Sequence, residues 1–165
     1  MITRAEALAI AQAELTAWKF DRKGDVLILL ENKTKETPYA WVIFWASKRW
    51  YETGELAYAL AGAGPFIISK QTGQVTQYSS AYGAESALEI YEEEQQLYGI
   101  RVAADLTDMR IKLLAKRLLP LSNQELLRVA REPATLVARG AQNRLKKLQN
   151  EWLAQGLETE IVPCF

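Results

Sequence analysis

Residues 39–82 read YAWVIFWASKRWYETGELAYALAGAGPFIISKQTGQVTQYSSAY, and the fold of the first half of the chain turns on them. This stretch holds three of the five Trp, five of the seven Tyr and two of the four Phe, so it must supply most of an aromatic core. Residues 39–47 are β-branched and aromatic, contain no Gly and follow Pro38, which predicts a strand. Alternation places Tyr39, Trp41, Ile43 and Trp45 on one face, and Ala40, Val42, Phe44 and Ala46 on the other. Both faces are apolar, so the strand is expected inside a sheet and covered on each side. Lys48 and Arg49 interrupt it, and residues 50–54 read as a second strand ending in a turn. Further on, residues 65–69 and 74–79 flank a Lys-Gln-Thr-Gly turn. Gly73 stands where a hairpin requires φ > 0, a conformation only Gly adopts without steric cost.

Upstream, Thr3 followed by Glu6 is a capping box opening a helix over residues 4–19. Its apolar face is Ala7, Leu8, Ala11, Leu15 and Trp18. Residues 21–25 form a turn, residues 26–30 a short apolar strand, and residues 32–38 a polar loop. Downstream of the hairpin, residues 84–97 predict a second helix that buries Ala84, Ala87, Leu88 and Tyr91. The remaining side of that helix is a carboxylate stripe: Glu85, Glu89, Glu92 and Glu93, with Glu94 beside it. Like charges four apart destabilise a helix, and acids in its last turn oppose the dipole. A solvated face is the plain reading of the stripe, and a contact surface for a basic partner is the functional one.

Gly99 marks the expected boundary between a unit of residues 1–98 and one of residues 100–165. Residues 1–98 carry 9 Lys/Arg against 13 Asp/Glu, a net −4, while residues 99–165 carry 11 against 7, a net +4. Equal and opposite balances suggest two units with different surfaces. In the second, residues 100–103 read as a strand. A helix capped by Thr107 runs to Leu118, and Pro120 stops it. Ser122 with Glu125 starts another helix, which ends at Arg131. Residues 134–138 form a strand with Gly140 as its turn, and residues 142–155 a helix with Leu145, Leu148, Trp152 and Leu153 inside. Gly156 caps that helix, and residues 157–162 are the closing strand. The expected class is α+β: an antiparallel sheet flanked by two helices, then a small β-α-α-β-α-β domain.

An aromatic strand with a Trp, a Tyr-x-Thr-Gly turn, a Gly-x-Gly-Pro entry to an apolar strand, then Thr-Gly and a helix occur in that order. In this combination the first 98 residues resemble the immunity protein 35 family, small α+β domains encoded beside bacterial polymorphic toxins. The positions carrying the likeness are Trp45, Tyr51, Thr53, Gly54, Gly62, Gly64, Pro65, Gly73 and the helix through Tyr91. It implies a cognate toxin protein as partner. Residues 100–162, with the run ELLRVAREPATLVARG and a basic helix after it, resemble the C-terminal domain of the bacterial ribosomal stalk protein. Pro120-Leu121 replaces that domain's Gly-rich turn, so the likeness implies partner binding rather than engagement of an elongation factor.

Composition narrows the chemistry. The chain of 165 residues is 49% apolar and 24% charged, ordinary for a globular protein. It has no His and one Cys, Cys164, which removes the usual zinc ligands, the commonest general base and any internal disulfide. An enzyme is therefore not expected, and no cofactor, metal or small-molecule substrate. No apolar run reaches the roughly 18 residues a membrane span needs, and residues 1–18 lack a basic leader, so a cytoplasmic protein is expected.

Gly62-Ala63-Gly64 is followed by Pro65 and a strand rather than a helix, which argues against a nucleotide loop. Arg139, Arg144, Lys146 and Lys147, with Arg128 and Arg131, form a basic cluster without interleaved aromatics, so nucleic acid is disfavoured. Trp50, Tyr51 and Tyr58 lie beside turns; core packing is the plain reading of each, and the functional reading makes them the aromatic anchors that bind the partner, with Glu85, Glu89, Glu92 and Glu93 steering its approach. The competing reading is an adaptor or chaperone-like module engaging translation or proteolysis machinery.

Overall fold

The computed structural model describes residues 1–18, 20 and 24–165. Of the expected turn over residues 21–25, residues 21–23 lie outside the described residues, as does Lys19, the expected end of the first helix. The chain divides into two compact units, Met1–Leu88 and Glu89–Phe165. Its class is α+β, with antiparallel sheets and six α-helices among the described residues.

In the first unit, α1 (Arg4–Ala17) starts at the Thr3–Glu6 capping box. The Glu6 carboxylate accepts the Thr3 N–H at 2.7 Å, and the Thr3 hydroxyl accepts the Glu6 N–H at 3.3 Å. Two otherwise orphaned donors of the helix start are thereby satisfied. Ala7, Ala11 and Leu15 on one face of α1 are buried against Trp41, Ile43, Trp45, Phe66 and Ile68. Trp18 follows the helix and meets the Trp45 ring edge-on at 4.8 Å.

The sheet elements are β1 (Leu27–Leu29), β2 (Lys35–Glu36), β3 (Ala40–Ile43), β4 (Trp45–Ser47), β5 (Phe66–Ser69) and β6 (Val75–Gln77). The order β2-β3-β5-β6 makes one four-stranded sheet, and β1 with β4 a separate pair. The aromatic strand expected over residues 39–47 is thus broken at Phe44, whose carbonyl accepts the Leu30 N–H at 2.7 Å. Its first part pairs with β5 and its second with β1, so each has a different neighbour. The alternation nevertheless survives the break: Trp41, Ile43 and Trp45 all enter the core under α1. Ala40, Val42 and Ala46 on the opposite face are buried too. The β5–β6 hairpin closes as expected, with Gly73 at φ 73° and its N–H donating to the Ser69 carbonyl at 2.9 Å.

One expected element has the wrong type. Residues 48–53 form α2 (Lys48–Thr53), not a strand. Ser47 caps it by accepting the Trp50 N–H at 3.1 Å, and Gly54 ends it in the left-handed conformation. The Asp25 carboxylate accepts the Ser47 hydroxyl at 2.5 Å and the Arg49 N–H at 3.1 Å. This tertiary clamp sets a helix start that outweighs the strand preference of Trp50 and Tyr51.

Helix α3 (Gly83–Glu94) begins in the first unit and ends in the second. The second unit continues through β7 (Tyr98–Val102), α4 (Met109–Leu118), α5 (Asn123–Arg131), β8 (Leu136–Gly140), α6 (Gln142–Ala154) and β9 (Thr159–Pro163). The order of its antiparallel sheet is β8-β7-β9. Gly99 does not separate the units. It lies inside the central strand β7, opposite Arg139 on β8 and Val162 on β9. A side chain there would collide with Leu136, so Gly99 serves close strand packing and not a linker. Asp108, rather than Thr107, caps α4, while Thr107 is held by the Asp105 carboxylate. The Ser122–Glu125 capping box opens α5 as expected. On α6, Leu145 and Trp152 are buried, but Leu153 is exposed, since it stands one position round from the buried stripe.

Candidate functional site

The aromatic residues singled out in the sequence gather on the first unit. Trp50 and Tyr51 stand on α2, 40% and 43% exposed, a large area for Trp and Tyr to leave in water. Tyr58 lies in a 3₁₀ turn over Leu56–Tyr58. Its hydroxyl accepts a hydrogen bond from the Arg49 guanidinium at 2.7 Å, and that cation also lies 5.0 Å from the Tyr58 ring centre. Arg49 thus joins the 3₁₀ turn to α2. Lys33 covers the Tyr51 ring at 5.6 Å. Leu56 in the same turn is almost fully exposed. Sequence reasoning misses Arg49, Lys33 and Leu56, because nothing in their local pattern marks them as neighbours of the aromatic pair.

Beside α2 runs a groove of about 220 Å³ lined by Trp45, Ser47, Trp50, Leu60, Ala63 and Ser80 among others. Trp45 contributes a wall whose indole N–H is buried without a hydrogen-bond partner among the described residues. Trp50 reaches from this groove to solvent, while Tyr51 and Tyr58 are not among its lining residues. The surface therefore sets exposed aromatic side chains next to an apolar recess, with the cations Arg49 and Lys33 held against Tyr58 and Tyr51. It is suited to taking up a protruding side chain of a protein partner.

The acidic stripe is divided. Glu85, in the first turn of α3, belongs to the first unit and is exposed. Glu89, Glu92 and Glu93 belong to the second unit. There Glu92 accepts the Gln142 N–H at 2.8 Å, and Glu93 accepts the Ala141 N–H at 2.7 Å and the Arg144 guanidinium at 2.9 Å. Helix α6 has no capping side chain of its own, since Ala141 occupies its N-cap. Carboxylates from α3 supply the missing acceptors and meet the positive end of the α6 dipole. The Arg144 hydrogen bond, followed by that from Ala141, holds the Glu93 carboxyl below the ordinary glutamate range. Two of the four stripe residues thus serve the fold of the second unit directly.

The basic cluster is partly tied down as well. Arg144 pairs with Glu93 and also donates to the Arg139 carbonyl, and Arg128 pairs with Glu132 at 3.3 Å. Among the described residues, no group of three or more His, Cys, Asp or Glu is placed to hold a metal ion, and no helix is long and apolar enough to cross a membrane.

The model of the immunity protein 35 family matches residues 5–94, and the chain belongs to that family. Among individual proteins, the uncharacterized protein YrhB of Escherichia coli (strain K12) is 31% identical over 100 residues, covering 61% of this chain and 99% of that protein. No solved structure matches the chain. The likeness of residues 100–162 to the ribosomal stalk domain finds no support in these comparisons, and the family match ends before β7.

Proposed function

We propose that the chain neutralises a cognate bacterial toxin by binding it directly and occluding its working surface. Membership of an immunity family supports the toxin as partner. The observation that carries the occlusion reading is the exposed Trp50–Tyr51 ridge beside the α2 groove, inside the family-matched region. Large aromatic side chains left in water yield most when a partner buries them, and they lose little conformational freedom on binding. Trp50, Tyr51 and Tyr58 are the anchors in this reading. Glu85 and Glu89 draw in a basic toxin surface, while Glu92 and Glu93 act through the second unit they hold together. With no His and a single Cys, the chain works through affinity rather than by reversing toxin chemistry. The setting proposed is a polymorphic toxin system, with protection exerted in the cytoplasm.

The test is co-expression with each polymorphic toxin encoded in the same genome, followed by co-purification and assay of the complex. Restored growth with an inactive, stable complex is expected. A complex in which the toxin keeps full activity would overturn occlusion.

A further inference from the structure

The second unit carries a surface to which the proposed toxin contact assigns no residue. Between α4 and α5 lies a groove of about 330 Å³. Met109, Lys112, Leu113 and Lys116 line it from α4, at helical positions i, i+3, i+4 and i+7, so they form one continuous stripe. Leu126 and Leu127 face them from α5. Leu126 is buried and makes the floor, whereas Met109, Leu113 and Leu127 are 66%, 61% and 43% exposed. A single exposed Leu needs no explanation, but three large apolar side chains around one concavity form a patch.

The rim has one sign of charge. Helix α4 carries Arg110, Lys112, Lys116 and Arg117 and no acidic residue. Arg101, Arg128 and Arg144 of the same unit pair with Glu160, Glu132 and Glu93. The four cations of α4 form no ion pair among the described residues. Lys112 is half-buried and lines the groove, and its cation forms no ion pair among the described residues.

We propose that this groove docks an acidic amphipathic helix of a partner protein. The apolar face of that helix seats a side chain over Leu126 between Met109, Leu113 and Leu127, and its flanking carboxylates meet Lys112 and Lys116. Helix-in-groove recognition uses this combination of recessed apolar floor and charged rim. An anionic membrane would match the charge, but it offers no knob to fill a recess of this volume. The proposal is independent of the toxin-binding reading, since none of the groove residues belongs to the toxin contact proposed above.

The experiment pans the full chain against a displayed library of helical peptides with randomised faces. The winners are then measured on the wild type, on Leu113→Asp and on the double variant Lys112→Glu/Lys116→Glu, each verified as folded by circular dichroism. Winners with apolar residues at helical spacing flanked by Asp or Glu are expected. Each variant should weaken them about tenfold or more, and the double variant should favour versions with Lys in place of Glu. Winners without acidic bias, or winners indifferent to either variant, would overturn the proposal. So would Leu113-dependent binding of phosphatidylglycerol vesicles exceeding that of every peptide, which would assign the surface to a membrane instead.

Discussion

Glu93, in the last turn of α3, lies 2.9 Å from the guanidinium of Arg144 in the first turn of α6, and the same carboxylate oxygen accepts the Ala141 N–H. An acid at the end of its own helix is unfavourable, but here it sits at the start of another, where the dipole has the opposite sign. Replacing Glu93 by Ala leaves α6 without this acceptor and should cost about 1–2 kcal/mol, the range of a lost N-cap. Glu93→Gln, which keeps an acceptor oxygen, should cost less. Denaturant unfolding, with hydrogen exchange at the Ala141 and Gln142 amides, checks both. Equal protection of those amides in all three proteins would contradict this role.

The same contact predicts an acid-side loss of stability. The carboxyl of Glu93 is held below the ordinary glutamate range, by Arg144 first and the Ala141 N–H second. In acid the unfolded chain therefore binds more protons at this position than the folded chain does. The contribution is complete above the ordinary glutamate value and disappears as pH falls through the lower, folded value. Stability measured against pH should flatten on the acid side in Glu93→Gln relative to wild type. Nearly half of each side chain in the pair is exposed, so the effect is modest and shrinks with salt.

Gly140 ends β8 at φ 144°, and a Cβ there would run into Glu93 and Arg144. Gly140→Ala should therefore both strain the backbone and displace the α6 cap, with a loss of about 2 kcal/mol or more. Thermal melts of the variant test this. A melting temperature equal to wild type would show that the cap tolerates displacement.

Ser47→Ala removes the acceptor for the Trp50 N–H and the hydroxyl that donates to Asp25. The expected cost is about 1–3 kcal/mol, because a buried carboxylate loses a partner as the helix loses its cap. Crystallography or NMR of the variant should show α2 loosened and Trp50 displaced. An unchanged Trp50 environment would place the control of α2 elsewhere.

Trp50→Ala and Tyr51→Ala should leave the fold intact, since both side chains are substantially exposed. Each should weaken toxin binding by about 2 kcal/mol or more if it is an anchor. Tyr58→Ala also releases Arg49, so it should perturb the α2 region even without toxin. Charge reversal at Glu85 should mainly slow association, more so at low salt. Titration calorimetry and stopped-flow rates separate these effects. Undiminished affinity in both α2 variants would move the contact away from the ridge.

Features controlled by short-range chemistry were legible in the sequence. The Thr3–Glu6 and Ser122–Glu125 boxes close within three residues, and the turn at Gly73 is set by the steric freedom of one residue. The core face Trp41, Ile43 and Trp45 follows from the period of a strand, which survives even a break at Phe44. The order of elements after β7 is likewise spelled out by caps, prolines and glycines. Long-range contacts settled the remainder. Residues 48–53 are helical because the carboxylate that holds their N-cap comes from Asp25, 22 residues before Ser47. Gly99 is strand and not linker because pairing brings Leu136 and Val162 to it. Glu92 and Glu93 cap α6 because folding delivers to them amides that lie 50 and 48 residues further on. A carboxylate carries no local mark of which distant N–H will meet it, so a stripe of acids looks the same in sequence whether it faces water, a partner or the open end of another helix.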